Sequence, residues 1–300
     1  MTDLVIRPLN AGETALFESL SDPGLVGRAL TSRSYGTMAA AGEYRPEWSW
    51  VALRDGTVVA RAAWWGGPDD TAPLALDWLD FTDADAALAL LRTAGLRAEY
   101  SIPLPPGWRD DPATRQAAES RMAVATAAGL RFLVERYTYH WTPDCPMPQR
   151  PGRLAFRPEP DNDVVLDVLR RVQHGSLDAH GARVAAESGV DAAARDDLDI
   201  LLWMPGPRDW WRLAHTHDGE LVGLTIPSAN HTTPVVAFVG VVPEHRGHGY
   251  AYDLLVEATH HLVGEGVDTI MASTDTTNTP MAAAFAKAGY PIVRHRIDLV

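Results

Sequence analysis

Lysine, cysteine and long apolar runs are what this chain has least of. Of its 26 basic residues only Lys287 is lysine, a bias that fits a GC-rich bacterial coding sequence more than any chemistry. With 39 acidic residues the net charge is −13, and no basic run offsets it. A nucleic-acid backbone or an anionic membrane surface would be repelled over most of such a molecule, so neither is expected as a partner. The single cysteine, Cys145, excludes an internal disulfide and suits a reducing compartment, so a cytoplasmic location is expected. It lies in a proline-rich stretch and is not read as a nucleophile. Nowhere do about 18 apolar residues run together, so no membrane-spanning helix is expected.

What is present is enough apolar content, 46%, for one large core or two ordinary ones. The order of elements favours two. Leu4 to Ile6 reads as a short strand before Arg7-Pro8, and Leu154 to Phe156 repeats it before Arg157-Pro158. Trp48 to Leu53 and Thr57 to Trp65, joined through Asp55-Gly56, read as a hairpin, and Trp211 to Thr216 with Glu220 to Ile226 repeat it around Asp218-Gly219. Leu130 to Tyr139 follows Ala128-Gly129 much as Tyr290 to Leu299 follows Ala288-Gly289. Similar elements recurring 150 to 163 positions later imply a duplication. Residues 142–152, with four prolines that keep a segment out of helix, read as the linker. The domains expected are therefore 1–141 and 153–300, each α/β, a mixed and mainly antiparallel sheet with packed helices.

The second half carries the more specific signal. An apolar run from Val235 to Val242 ends at Pro243, Gly247 and Gly249 follow Arg246 closely, and Ala251, Leu254, Leu255, Ala258 and Leu262 then recur at helical spacing. Strand, glycine turn and helix leave N–H groups free at a helix start, an anion site favoured by the helix dipole. A pyrophosphate fits it best. At the corresponding place the first half offers Leu74 to Phe81 and Thr82-Asp83-Ala84-Asp85, with no glycine and with carboxylates at Asp80, Asp83 and Asp85. A pyrophosphate there would meet repulsion, so the first half reads as a degenerate copy with a structural task.

The stretch Arg246-Gly247-His248-Gly249-Tyr250-Ala251, after Val241-Val242-Pro243, resembles the R/Q-x-x-G-x-G/A acyl-CoA signature of the GCN5-related N-acetyltransferase (GNAT) superfamily. Asn278, followed by Met281 to Tyr290, is similar to the family's closing N-x-x-A-x-x-x-(Y/F)-x-x-x-G-(F/Y) helix. The resemblance implies two tandem GNAT-like domains and an acetyl-CoA-dependent N-acetyltransferase acting directly, in a ternary complex, on the amine of a small molecule. By the same resemblance, Val241 and Val242 hold the pantetheine arm and polarise the thioester carbonyl. Amides from Arg246 through Gly247, His248, Gly249 and Tyr250 to Ala251 take the pyrophosphate, with the Arg246 side chain on the phosphate side. Asn278 takes part of the pantetheine or caps its helix. Acetyl-CoA or another acyl-CoA is the expected co-substrate, no metal is expected, and a homodimer stands among the expected partners.

Two departures bear on mechanism. The tyrosine that protonates the thiolate in many members is replaced by Phe285, and the strand before the motif has no glutamate base. Asp275, following the strand Thr269 to Ser273, is the first substitute, as a base raised by burial or as an amine anchor; opening the loop before Asn278 is its plainer role. Tyr290, Tyr252 and Glu244 are weaker candidates. His215 with His217 and His260 with His261 lack the further ligands of a metal set. Tryptophans in the hairpins read as core, while by the family resemblance the acidic segment from Gln173 to Pro207 occupies the region that shapes the acceptor site in related folds, which favours a neutral or cationic amine. Because acid and base are both missing, a non-catalytic acyl-CoA-binding or sensing module is the alternative, with acyl-CoA decarboxylation third.

Overall fold

The computed structural model describes residues 4–30, 33–230 and 232–300. The chain forms two compact units: the first runs to Glu135 and takes in Arg294–Val300, and the second is Arg136–Val293. The first contains β1 (Leu4–Pro8), α1 (Thr14–Glu18), α2 (Tyr35–Ala40), β2 (Ser49–Arg54), β3 (Thr57–Trp65), β4 (Ala75–Phe81), α3 (Ala84–Ala94), β5 (Glu99–Leu104) and α4 (Pro112–Ala127). Next comes β6 (Phe132–Trp141), whose residues from Arg136 onward fall in the second unit. The second unit continues with β7 (Ala155–Pro158), α5 (Asn162–Gln173), α6 (Ala179–Ser188), α7 (Val190–Trp203), β8 (Arg212–His215), β9 (Leu221–Ala229) and β10 (Pro234–Val241). It closes with α8 (Tyr250–Gly264), β11 (Ile270–Asp275), α9 (Thr279–Lys287) and the start of β12 (Ile292–Leu299).

Local chemistry sets many of these boundaries. Asp55 and Gly56 both take positive φ, 50° and 78°, as the tight turn between β2 and β3 requires. Asp83, Asp111, Asp161 and Asp178 cap α3, α4, α5 and α6, each side chain accepting a backbone N–H of the first turn. In the second unit the hairpin loop is longer than expected, since β8 ends at His215, Thr216 N donates to Glu220 O at 2.9 Å and Glu220 N donates to Thr216 Oγ1 at 3.0 Å.

The two sheets repeat one plan. In the first unit β1, β2, β3 and β4 pair antiparallel in sequence order, β5 joins parallel to β4, and His295–Leu299 of β12 pairs antiparallel with β5. In the second, β7 to β10 form the antiparallel run, β11 joins parallel to β10, and Arg136–Trp141 of β6 pairs antiparallel with β11. Helices cover both faces of each sheet. In the second unit Leu254, Leu255, Ala258 and Leu262 of α8 lie buried with Phe285 and Ala284 of α9 on one face, while Val165, Leu169, Leu198 and Leu201 of α5 and α7 pack on the other.

The pairing departs from linear order at the closing strands. Leu130 to Tyr139 was expected to finish the first half and Tyr290 to Leu299 the second, yet each sheet takes the end of the other's strand. The proline-rich residues 142–152 also lie inside the second unit, along α8: Tyr252 Oη donates to Gln149 O at 3.3 Å, and His260 Nε2 is 2.8 Å from Pro148 O. These contacts make the stretch part of that unit's packing.

Candidate functional site

The glycine turn builds the site from local geometry. Pro243–His245 makes one short helical turn, after which Gly247 and Gly249 adopt φ of 82° and 74°. A side chain at either position would be strained, and the reversal brings successive N–H groups to the start of α8. Among the described residues, no group accepts from the amides of Gly247, His248, Gly249, Tyr250 or Ala251. These five donors at a helix N-terminus form an anion cradle.

The turn is held from both sides by arginines. Arg246 Nε donates to Val241 O at 3.1 Å, Nη1 to His174 O at 2.6 Å and Gly175 O at 3.1 Å, and Nη2 to Val172 O at 2.7 Å. The Arg246 side chain therefore binds the carbonyl end of α5, where the helix dipole favours a cation, and ties the turn to it. Burial lowers its pKa from the usual arginine value, with Glu244 opposing. Arg153 donates to His248 O and Gly249 O, forms an ion pair with Asp253 and lies 4.8 Å over the Tyr250 ring. With the carbonyls engaged behind it, the turn is left facing outward through its N–H groups.

The cradle opens into a cavity of about 480 Å³. Val241, Arg246, Gly247, Gly249, Tyr250, Ala251 and Asn278 line it, as expected of a common site, and Val239, Gly240, Leu177 and Lys287 join them. One wall is a strand edge. Among the described residues β10 pairs in parallel with β11 at Val235 opposite Met271 alone, and farther along β10 the residues Val239 to Val241 line the cavity. Asn278 caps α9, its Oδ1 accepting from Met281 N at 3.3 Å. Lys287 is a residue that sequence reasoning missed; its Nζ lies 4.0 Å over the Tyr252 ring, and the helical spacing Pro280, Ala284, Lys287 could have revealed it.

Other expected site residues sit elsewhere. Val242 is fully buried in the core beside Val172 and does not line the cavity; its N–H donates to Val222 O at 2.9 Å. The His248 side chain is turned outward against Tyr250, with ring centroids 5.8 Å apart. Asp275 requires a correction. It is 1% exposed and absent from the cavity wall, because strand alternation turns it toward β6 and α6. Its Oδ2 accepts from Ala179 N at 2.7 Å, and Arg136 Nε lies 3.0 Å from Oδ1, a charge contact out of line for a hydrogen bond. Burial raises its pKa, opposed by the Ala179 amide and Arg136. This is the placement of a structural anchor.

Phe285 stacks on Tyr139 at 4.0 Å and is 2% exposed, so the helix turns this position into the core. Tyr290 Oη is 2.8 Å from Thr259 Oγ1, and burial raises its pKa. Glu244 is exposed and 3.4 Å from Arg171. His217 meets Gly152 O at 3.0 Å, His260 meets Pro148 O at 2.8 Å and His261 lies against Trp210 at 5.4 Å, while His215 Nδ1 is buried without a partner among the described residues.

The first unit differs at the matching place. Asp83 occupies the start of α3 with its own carboxylate, accepting from Ala86 N at 3.0 Å and pairing with Arg54. Where β4 and β5 separate, residues 27–30 fill the gap. Gly27 N donates to Pro103 O at 2.8 Å, and Ala29 N and Leu30 N donate to Asp77 Oδ1 at 3.0 and 3.1 Å. Arg28 reaches Asp80 at 2.9 Å and lies 3.5 Å over the Trp78 ring.

Comparison with known proteins agrees with this geometry. Residues 183–290 match the acetyltransferase (GNAT) family. A mycothiol acetyltransferase of Streptomyces griseus subsp. griseus is 34% identical over 85 residues, which are 28% of this chain and 27% of that relative. The match thus spans about a quarter of the relative's length. A GCN5-related N-acetyltransferase from Sphaerobacter thermophilus superposes with a TM-score of 0.60 at 14% identity, over 99% of this chain and 94% of that one. A tandem GNAT protein from the clavulanic acid biosynthesis pathway gives a TM-score of 0.51 at 19% identity, over 99% and 98%. At these identities the structures speak for the fold alone, a GNAT-like mixed sheet with packed helices. The likeness to the acetyltransferase (GNAT) family thus falls within the second unit, over residues 183–290.

Proposed function

We propose that the second unit transfers an acetyl group from acetyl-CoA to the primary amine of a small molecule, directly and within a ternary complex. The observation that carries this reading is the set of five unaccepted amides, Gly247 to Ala251, opening into the cavity beside the unpaired edge of β10. The amides suit the pyrophosphate, and the strand edge can take the amide groups of a pantetheine arm as a sheet takes an added strand. A backbone N–H on that edge would polarise the thioester carbonyl. Acetyl transfer as the chemistry is further supported by the family match and by the named activity of the Streptomyces relative.

This chain's own groups would act mainly by position, fixing thioester and amine in one cavity. Neither Phe285, which lacks a hydroxyl, nor Asp275, which is buried on another contact, supplies acid or base. Those two placements favour the second reading, an acyl-CoA-binding module without transfer.

The test is thermal unfolding with and without saturating acetyl-CoA for the wild type and Gly249→Glu, followed by assay of free thiol with a panel of amines. Ligand at about a hundred times Kd stabilises by ~2.7 kcal/mol, a shift of several degrees. The reading expects that shift, its loss in the variant, and amine-dependent thiol release. A shift without thiol release leaves the binding module; no shift in the wild type removes the cofactor site.

A further inference from the structure

The wall of the cavity holds three side chains able to carry positive charge, Arg246, His245 and Lys287, and two of them are spent on the protein. All three guanidinium nitrogens of Arg246 donate to backbone carbonyls. His245 Nε2 faces the Glu220 carboxylate at 3.6 Å. Lys287 differs from both. It is exposed, its ammonium lies 4.0 Å over the Tyr252 ring, and it makes no ion pair or hydrogen bond among the described residues. A chain of net charge −13 has one lysine, and it stands at this cavity.

Two features hold the ammonium without using its donors. The face of the Tyr252 ring attracts a cation, and that ring is itself fixed, 9% exposed and donating from Oη to Gln149 O at 3.3 Å. Lys287 also closes the last turn of α9, where the helix dipole favours positive charge. Three N–H donors and a full charge are left facing the cavity. In a molecule whose summed charge repels anions, such a cation serves an anionic ligand.

The position of Lys287 says which anion. Asn278 caps α9 three residues after β11 ends, and the helix runs for 9 residues, so Lys287 stands about 13 Å along its axis from Asn278, away from the strand ends. There it meets Tyr252, the residue after the last free amide of the cradle. With the pantetheine arm along the strand edge and the pyrophosphate on the five amides, the next part of coenzyme A is its nucleoside. The ribose carries a 3′-phosphate, a monoester of about −1.5 to −2 charge near neutral pH. The amides of the cradle are already taken by the pyrophosphate, so this third phosphate needs a separate partner.

We infer that Lys287 binds the ribose 3′-phosphate of coenzyme A and is the residue by which this site selects the 3′-phosphorylated coenzyme over forms that lack that group. The inference rests on the acyl-CoA reading for the ligand and on the unpaired ammonium for the contact. Lys287 binds and orients; no bond is made or broken there.

The experiment is calorimetric titration of the whole protein with acetyl-CoA and with acetyl-3′-dephospho-CoA, for the wild type, Lys287→Met and Lys287→Arg. The wild type should bind the phosphorylated form about tenfold tighter or more, as a charge-assisted contact to phosphate gives. Lys287→Met should lose that preference by weakening acetyl-CoA alone, with the affinity for the dephospho form in place, and Lys287→Arg should keep most of it. Added salt should narrow the preference of the wild type through screening and leave the methionine variant unchanged. A methionine variant that retains the preference, or that weakens both forms equally, overturns the assignment. Equal binding of the two forms by the wild type overturns it as well and leaves the cofactor site standing, whereas a wild type that binds neither form removes the acyl-CoA reading and this inference together.

Discussion

Gly223 and Gly240 meet across β9 and β10 with no room for a carbon between them: a methyl group on Gly223 would lie 2.0 Å from the Gly240 carbonyl oxygen. The approach is backbone to backbone, so no side chain can turn aside. It falls where β10 begins to line the cavity, and a methyl on Gly240 would itself press into Phe238 at 2.6 Å and Val172 at 2.9 Å. Gly223→Ala should therefore destabilise the second unit by about 3 kcal/mol, the upper end for overpacking. Urea unfolding followed by tryptophan fluorescence reads this directly, and a cost below about 0.5 kcal/mol would contradict the close approach.

Arg246 is expected to act through the loop it holds. Arg246→Ala removes donors from Val241, His174, Gly175 and Val172 at once, freeing the loop that lines the cavity. Affinity for acetyl-CoA should fall tenfold or more, measured by calorimetry. Arg246→Lys should fall nearly as far, because one ammonium cannot reach carbonyls spread around a planar guanidinium. Full affinity in the lysine variant would mean that charge alone is what the site needs.

Phe285→Tyr restores the hydroxyl that family resemblance places at this position. Here the ring is packed on Tyr139, so the added hydroxyl enters the core without a partner. The variant should lose about 1 to 3 kcal/mol of stability and gain nothing in kcat. A rise in kcat on any amine would show that the position reaches the reacting atoms after all.

Asp197 gives a pH dependence with a definite sign. Burial raises its pKa to about 6, above the usual aspartate value of 3.8, so between those values the folded state holds the proton more tightly than the unfolded chain. Stability from this group is therefore greatest below about pH 4 and falls as pH rises through 6, by up to about 3 kcal/mol. Urea midpoints at pH 4.5 and pH 7 should show a smaller fall for Asp197→Asn than for the wild type. Parallel falls would place the raised pKa elsewhere.

The parts of this molecule legible in the sequence are those determined within a few residues. Gly247 and Gly249 announce a turn because few other residues tolerate their angles, and the apolar spacing from Leu254 to Leu262 announces the helix that makes the turn an anion cradle. Asp275 was misread for the opposite reason. Its position after a strand is local, but its neighbour is Arg136, some 140 positions earlier in the chain and brought alongside by β6. Closing strands pose the same problem on a larger scale, since β6 and β12 each suit either sheet and only their pairing partners tell them apart.

That crossing of strands has a consequence for how the protein is made. The last strand of the first unit, His295–Leu299, leaves the ribosome about 160 residues after Glu135. At about 5–20 residues per second the first sheet waits roughly ten to thirty seconds for its final edge. During that interval β5 has an open flank, and the second unit is being synthesised and can begin to fold before the first is complete. Severing the chain within residues 142–152 would give two fragments, each holding a strand that belongs to the other, so recovery of either fold should require both pieces in the same tube.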